Sequence, residues 1–224
     1  MGGKLIVIEG LDGSGKATQT KLLYDALEKQ TPNVRMLSFP CYEDDSSVLV
    51  KMYLAGEFGQ RPDDVNGYAA STFFAVDRYA SYKKSWEKDY KDGFVFLADR
   101  YTTSNAVYQA GKLPREEWDE YLDWLYDFEY NLLGIPKPDI VIYLDLPPEI
   151  SRELMTKRYT GDETKKDIHE KDTGFQTKSR EAALYCAAKQ NWHIINCESR
   201  GGIREEEDIA REILVIIEDK VLSI

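Results

Sequence analysis

Near its N-terminus the chain reads Leu5-Ile6-Val7-Ile8-Glu9-Gly10-Leu11-Asp12-Gly13-Ser14-Gly15-Lys16. The apolar run has the length and branching of a buried strand, and the stretch behind it satisfies G-x-x-x-x-G-K. Glycines let the backbone curl until several N–H groups face one anion. A helix beginning near Lys16 adds its positive dipole end, and the lysine ammonium reaches outward to further phosphates. A dinucleotide-binding loop is excluded, because Thr18 stands where the third glycine of G-x-G-x-x-G belongs.

Downstream, further apolar runs alternate with amphipathic stretches. Strands are expected at Leu5–Ile8, Val34–Phe39, Phe94–Ala98, Ile140–Leu146 and His193–Asn196. Lys16–Gln30, Gly67–Tyr90, Glu116–Leu133 and Glu205–Leu222 carry apolar residues at helical spacing. This alternation predicts an α/β fold, a doubly wound parallel five-stranded sheet with flanking helices. Neither a repeat nor a Pro- or Ser-rich linker divides the 224 residues, so one domain is expected.

The charge balance narrows the partners. Forty Asp and Glu against 29 Lys and Arg give a net charge of −11, which disfavours nucleic acid or an anionic membrane surface and leaves room for a small anion in a local basic pocket. No apolar run approaches the roughly 20 residues of a membrane-spanning helix. The N-terminal run is too short for a signal peptide, and Ile6 breaks a myristoylation signal, so a cytoplasmic location is expected. Cys41, Cys186 and Cys197 form no CxxC pair and read as free thiols; His169 and His193 lie far apart, which disfavours zinc.

Ala17 occupies the position whose Ser or Thr hydroxyl normally holds magnesium in such a loop. The metal would then rest on carboxylates, water and nucleotide, with Asp12 and Asp99 as candidates because hard oxygen ligands suit it. Asp99-Arg100-Tyr101-Thr102-Thr103-Ser104-Asn105 through Tyr108-Gln109 follows the third strand, and Phe39-Pro40-Cys41-Tyr42 follows the second. Phe73-Phe74-Ala75-Val76-Asp77-Arg78 falls on a helix. Two arginines and several aromatic rings beside a phosphate loop suggest a second phosphate site next to a flat ring.

From about Lys4 to Asn196 these motifs together resemble the thymidylate kinase family of P-loop nucleoside monophosphate kinases. The resemblance implies the P-loop nucleoside triphosphate hydrolase fold and transfer of the γ-phosphoryl group of ATP to dTMP, with magnesium, in nucleotide biosynthesis. ATP would be held by Gly10, Leu11, Asp12, Gly13, Ser14, Gly15, Lys16, Ala17 and Thr18. Phe74 would stack on thymine. Arg78 and Arg100 would grip the acceptor phosphate, beside Phe39 and Tyr42, and Arg78 would also reach the base edge. Ser104, Asn105 and Gln109 would lie near base and sugar. Tyr108 would crowd the sugar 2′ position, and Asp12 would lie near the 3′-hydroxyl and the metal. Asp167-Ile168-His169-Glu170 matches the stretch after the family's lid, with Glu170 near nucleoside and metal water. A homodimer built on long helices such as Gly67–Tyr90 is also implied.

Between Arg152 and Arg180 eight basic residues meet six acidic ones, a slightly positive segment in an acidic chain. In the light of the resemblance its first part, about 152–168, is a mobile lid over the ATP phosphates. The phosphate loop holds no arginine, so the lid would supply the catalytic cation, Arg158 first and Arg152 second. The catalytic set is then Lys16, Asp12, Arg100 and Arg158. Two other readings stay open: a kinase of another deoxynucleoside monophosphate, or a non-catalytic nucleotide switch. Thr164-Lys165-Lys166-Asp167 has the letters of a guanine-reading motif, but no apolar strand precedes it.

Overall fold

The computed structural model describes residues 2–158, 167–199 and 202–222, apart from the side chains of Lys157, Arg158 and Leu222. Five parallel strands, β1 (Lys4–Gly10), β2 (Val34–Ser38), β3 (Val95–Asp99), β4 (Ile140–Asp145) and β5 (His193–Asn196), form one sheet in the order β2-β3-β1-β4-β5. The five expected strands are present with shifts of one or two residues at their ends. A short antiparallel pair, β6 (Glu198–Ser199) and β7 (Gly202–Ile203), follows β5.

Both faces of the sheet are covered, which is why its strands read as continuous apolar runs. Successive side chains of β1 point to opposite faces: Ile6 and Ile8 join Leu23 and Leu27 of α1 (Lys16–Leu27) and Ile209 and Ile213 of α10 (Glu206–Ile217). Leu5 and Val7 face the other way, toward Phe96, Trp86 and Tyr82. The order of the strands turns back at β1, so the C-terminal ends of β1, β2, β3 and β4 border the crevice where such sheets hold ligands. Here Gly10 lies opposite Leu144, and Asp99 opposite both Ile8 and Ser38.

Two predicted helices are continuous but uneven. Gly67–Tyr90 is α3 (Gly67–Ser81), a wide π-helical turn at Tyr82–Trp86, and α4 (Glu87–Lys91). The extra residue in that turn brings Tyr82 and Trp86 together into the core, with ring centres 4.7 Å apart. Likewise α6 (Trp118–Tyr126) widens over Asp127–Leu132, where Glu129 turns inward and is buried.

Among the described residues, five helices were not marked by apolar periodicity: α2 (Val48–Leu54), α5 (Thr102–Tyr108), α7 (Pro148–Arg158), the short α8 (Ile168–Lys171) and the long α9 (Thr173–Gln190). In α9 the buried positions include Ser179, Ala182, Ala183, Cys186 and Ala187, small residues that allow a close approach to α5 without an apolar stripe. Its ends carry local signals instead. Asp172 caps the start by accepting from the Phe175 N–H, and Asn191 ends it in the left-handed conformation, φ 56°.

Cys41, Cys186 and Cys197 are free thiols, as expected. Among the described residues no helix is long and apolar enough to cross a membrane. Ile6 is fully buried at the centre of the sheet. Ile6→Ala should lower stability by about 2–5 kcal/mol, read as a lower urea midpoint at unchanged slope.

Candidate active site

The phosphate loop leaves β1 and enters α1 within six residues. Gly15 caps α1 with φ 88°, a left-handed conformation open to glycine, and Gly13 also has positive φ, 81°. A Cβ on Gly13 would stand 2.7 Å from the Ser151 carbonyl oxygen of α7. The cradle is therefore shaped by the absence of side chains. Lys16 Nζ donates to the Leu11 carbonyl at 2.8 Å, across the loop it serves. Burial, with Arg100 adding repulsion, pushes its ammonium down to about 8.

Opposite the loop, Arg100 sits between β3 and α5 with φ 66°. A left-handed conformation costs a side-chain-bearing residue about 1–2 kcal/mol. It turns the guanidinium onto Asp12 Oδ1, while Tyr108 donates its hydroxyl to Asp12 Oδ2 at 3.0 Å. Burial alone would raise the Asp12 carboxyl; the charges of Arg100 and Lys16 and the Tyr108 hydroxyl outweigh it and hold the group well below the usual carboxylate range. Arg100 is raised correspondingly, despite burial, by Asp12. Behind them Glu9, fully buried, accepts from the Thr103 hydroxyl at 2.6 Å and the Ser104 hydroxyl at 2.8 Å, tying the start of α5 to the end of β1.

These groups open on a cleft of about 1190 Å³. Of the residues expected at a nucleotide site, Asp12, Gly13, Gly15, Lys16, Ala17, Thr18, Phe39, Tyr42, Phe74, Arg78, Asp99, Arg100, Ser104, Asn105, Tyr108, Gln109 and Glu170 all line it. Three do not. Leu11 packs with Val107, Tyr143 and Phe175, while Gly10 and Ser14 are buried in the turn of the loop behind the cleft wall. Arg152 is exposed on α7 and does not line the cleft. The side chain of Arg158 and residues 159–166, most of the expected lid, lie outside the described residues; the segment 152–158 is helical within α7, and Ile168 opens the short helix α8 (Ile168–Lys171).

Several side chains that shape the cleft were missed by sequence reasoning. Glu129, fully buried, holds the expected Arg78 fork to fork, accepting from Nε at Oε2 at 2.7 Å and from Nη2 at Oε1 at 2.5 Å; Arg78 itself is 2% exposed. Asp77 accepts from the Cys41 N–H at 2.8 Å and the Ser46 hydroxyl at 2.7 Å, which fastens the Phe39–Tyr42 segment to α3. His169 stacks on the Tyr108 ring at 5.6 Å and shares a 2.7 Å hydrogen bond with the Tyr53 hydroxyl; burial and nearby Lys112 push its imidazole down to about 3. Asp167, the cap of α8, is pushed up to about 7 by burial and the charge of Asp12. Their sequence signal was weak: a lone His or Glu in a charged helix reads as surface until its burial is known.

For a divalent metal the fit rests on Asp99. Its Oδ1, a hard oxygen, is buried without a hydrogen-bond partner at the end of β3, on a residue that lines the cleft. Among the described residues no cluster of three acidic, His or Cys side chains could cage an ion alone. Asp99 and Asp12 therefore suit magnesium, which typically keeps water and substrate phosphates and takes one or two carboxylates.

Comparison with known proteins gives one consistent result. The family model described as thymidylate kinase matches residues 8–208. A thymidylate kinase of Mycobacterium tuberculosis is 33% identical over 191 residues, covering 84% of this chain and 87% of that protein. A probable thymidylate kinase of Thermococcus onnurineus is 31% identical over 223 residues, covering 97% and 98%. The solved structure of thymidylate kinase from Candida albicans superposes with a TM-score of 0.69 at 23% identity, covering 97% of this chain and 92% of that one, a likeness of fold. With the phosphate loop, the parallel sheet and this match across most of its length, the chain belongs to the thymidylate kinase family of enzymes.

Proposed function

We propose that the protein transfers the γ-phosphoryl group of ATP to the 5′-phosphate of dTMP, giving dTDP and ADP. The observation that carries this is the presence of both Lys16 and Arg100 in the lining of one cleft, together with Phe74 and Tyr108. Two phosphates that repel each other need such an arrangement, because phosphoryl transfer depends on positioning and charge neutralisation more than on covalent help.

In this reading the loop N–H groups and Lys16 hold the donor. Arg100 exchanges Asp12 for the acceptor phosphate, and Tyr42, half exposed at the mouth, stands beside it. Phe74 stacks on the base, Arg78 and Asn105 meet its edge, Gln109 and Ser104 lie near base and sugar, and Tyr108 crowds the 2′ position. The acceptor phosphate is already an anion at neutral pH, so no strong general base is required. Asp12 and Asp99, with Glu170 through water, would hold magnesium, which would supply charge neutralisation to the phosphates. A lid at about 152–168, with Arg158 as its cation, excludes water that would hydrolyse ATP. Val76 and Tyr79, exposed large side chains on α3, support a homodimer on that helix, and the reading places the enzyme in the cytoplasm.

ADP release with magnesium across dTMP, dUMP and dCMP tests the acceptor: dTMP should lead, and equal or absent turnover would refute the reading. Lys16→Ala should lower kcat by about 10²–10³-fold, the scale for one positioned transition-state donor. Because Lys16 lies near 8 when no phosphate faces it, ATP affinity should fall as pH rises above about 8, by up to about tenfold per unit. Equilibrium ATP binding from pH 7 to pH 9.5 checks this, and a flat profile would contradict it.

A further inference from the structure

Glu129 is fully buried on the widened turn after α6 and does not line the cleft, yet it touches two residues that do. Its Oε2 accepts from Arg78 Nε at 2.7 Å and from the Thr102 hydroxyl at 2.8 Å. Its Oε1 accepts from Arg78 Nη2 at 2.5 Å and from Asn105 Nδ2 at 3.1 Å. One carboxylate thus orients both a guanidinium and an amide in the wall of the cleft.

Counting donors shows what remains for a ligand. A guanidinium has five N–H bonds. In Arg78 two go to Glu129 and one, from Nη1, goes to the Tyr101 carbonyl at 3.3 Å. One N–H on each terminal nitrogen is left without a partner among the described residues. Asn105 gives its two amide hydrogens to Glu129 and to the Ser71 carbonyl at 3.1 Å. Both partners can only accept, so turning the amide over would set oxygen against oxygen, and Oδ1 is the atom Asn105 has left to offer. The wall therefore keeps a donor from Arg78 and an acceptor from Asn105 in hand.

A 4-keto pyrimidine presents the complement, an accepting O4 beside a donating N3–H; a 4-amino pyrimidine presents the reverse order. Charge points the same way. With Glu129 cancelling its charge, Arg78 is suited to an uncharged carbonyl, and the acceptor phosphate falls to Arg100. We propose that Glu129 is a positioning residue that sets base specificity: its acceptor-only carboxylate locks Arg78 and Asn105 into the donor and acceptor order that admits thymine and rejects cytosine. The inference rests on the dTMP reading above and adds a determinant outside the cleft.

The experiment compares dTMP with 5-methyl-dCMP, which differs only at the edge in question, using kcat/KM from ADP release. Glu129→Gln has nearly the same shape but brings amide donors that allow Asn105 to turn over. The preference for dTMP should shrink by about 10–100-fold, mainly through KM for dTMP, while KM for ATP stays within about twofold. Glu129→Asp keeps an acceptor-only carboxylate and should keep most of the preference even where affinity falls. An unchanged preference in Glu129→Gln, or an equal loss in both variants, would overturn the proposal and leave Glu129 a packing residue. If Glu129→Gln does not fold, loss of the preference in Glu129→Asp overturns it and retention supports it. Turnover of dTMP by the unaltered protein is measured first; its absence would overturn the functional reading and this inference together, whereas normal turnover with an insensitive preference removes the inference alone.

Discussion

Parallel pairing of β1 with β3 sets Ile8 opposite Asp99, and the cleft depends on that register. Past Ile8 the chain becomes Glu9 and the phosphate loop; past Asp99 it becomes Arg100 and α5. The two segments leave the sheet side by side and are tied there, since the Arg100 N–H donates to the Ile8 carbonyl at 3.1 Å and Glu9 receives the hydroxyls of Thr103 and Ser104. A slip of one residue normally exchanges a buried face for a solvated one. Here both faces are apolar, so burial alone discriminates poorly between registers. The polar ties at Glu9 and the close approach at Gly10, where a Cβ would stand 3.0 Å from the Leu144 carbonyl oxygen, supply the discrimination.

Behind the cleft the core contains charges that a purely structural design would omit. A buried ion pair such as Arg78–Glu129 adds little over well-packed apolar residues, because desolvation offsets most of the attraction, yet removing one partner costs about 3–5 kcal/mol. Its contact with Asn105, which lines the cleft as Arg78 does, is better explained by orientation than by stability. The same holds for Tyr53, His169 and Lys112. Lys112 Nζ donates to the Tyr53 hydroxyl at 2.7 Å and the Val65 carbonyl at 3.0 Å, and burial pushes its ammonium down to about 7. These groups stand behind Tyr108 and fix the ring that faces the sugar in the proposed complex.

The five strands, the loop and the four apolar-striped helices were legible because each carries its own local signal: a 2-residue or 3.6-residue apolar period, or glycines at set spacing. The helix α9 was not, since its inner face of Ser, Ala and Cys buries little apolar area per residue and leaves no stripe. Among cleft residues, those on strand ends and in the loop could be placed from order along the chain. Glu129, Asp77 and His169 could not. Their roles arise from contacts separated by 51, 36 and 116 positions, which a single sequence does not encode in any periodic form.

The two cations that the proposed reaction assigns to phosphates are already engaged by the protein, Lys16 by the Leu11 carbonyl and Arg100 by Asp12. Binding substrates is then an exchange of partners. Each cation leaves an oxygen it has held in place and meets a phosphate oxygen from nearly the same position, so little side-chain entropy is lost in the step. Asp12 bears the consequence. Its carboxyl is kept ionised by Arg100 and Lys16 against the pull of burial, and in the proposed complex it would lose that support as they turn to the phosphates. A carboxylate so released, in the same cleft as Asp99 with its unpartnered Oδ1, would favour a hard cation more strongly. In that reading acceptor binding would favour a hard cation held by Asp12 and Asp99, and by reciprocity the cation would favour the acceptor.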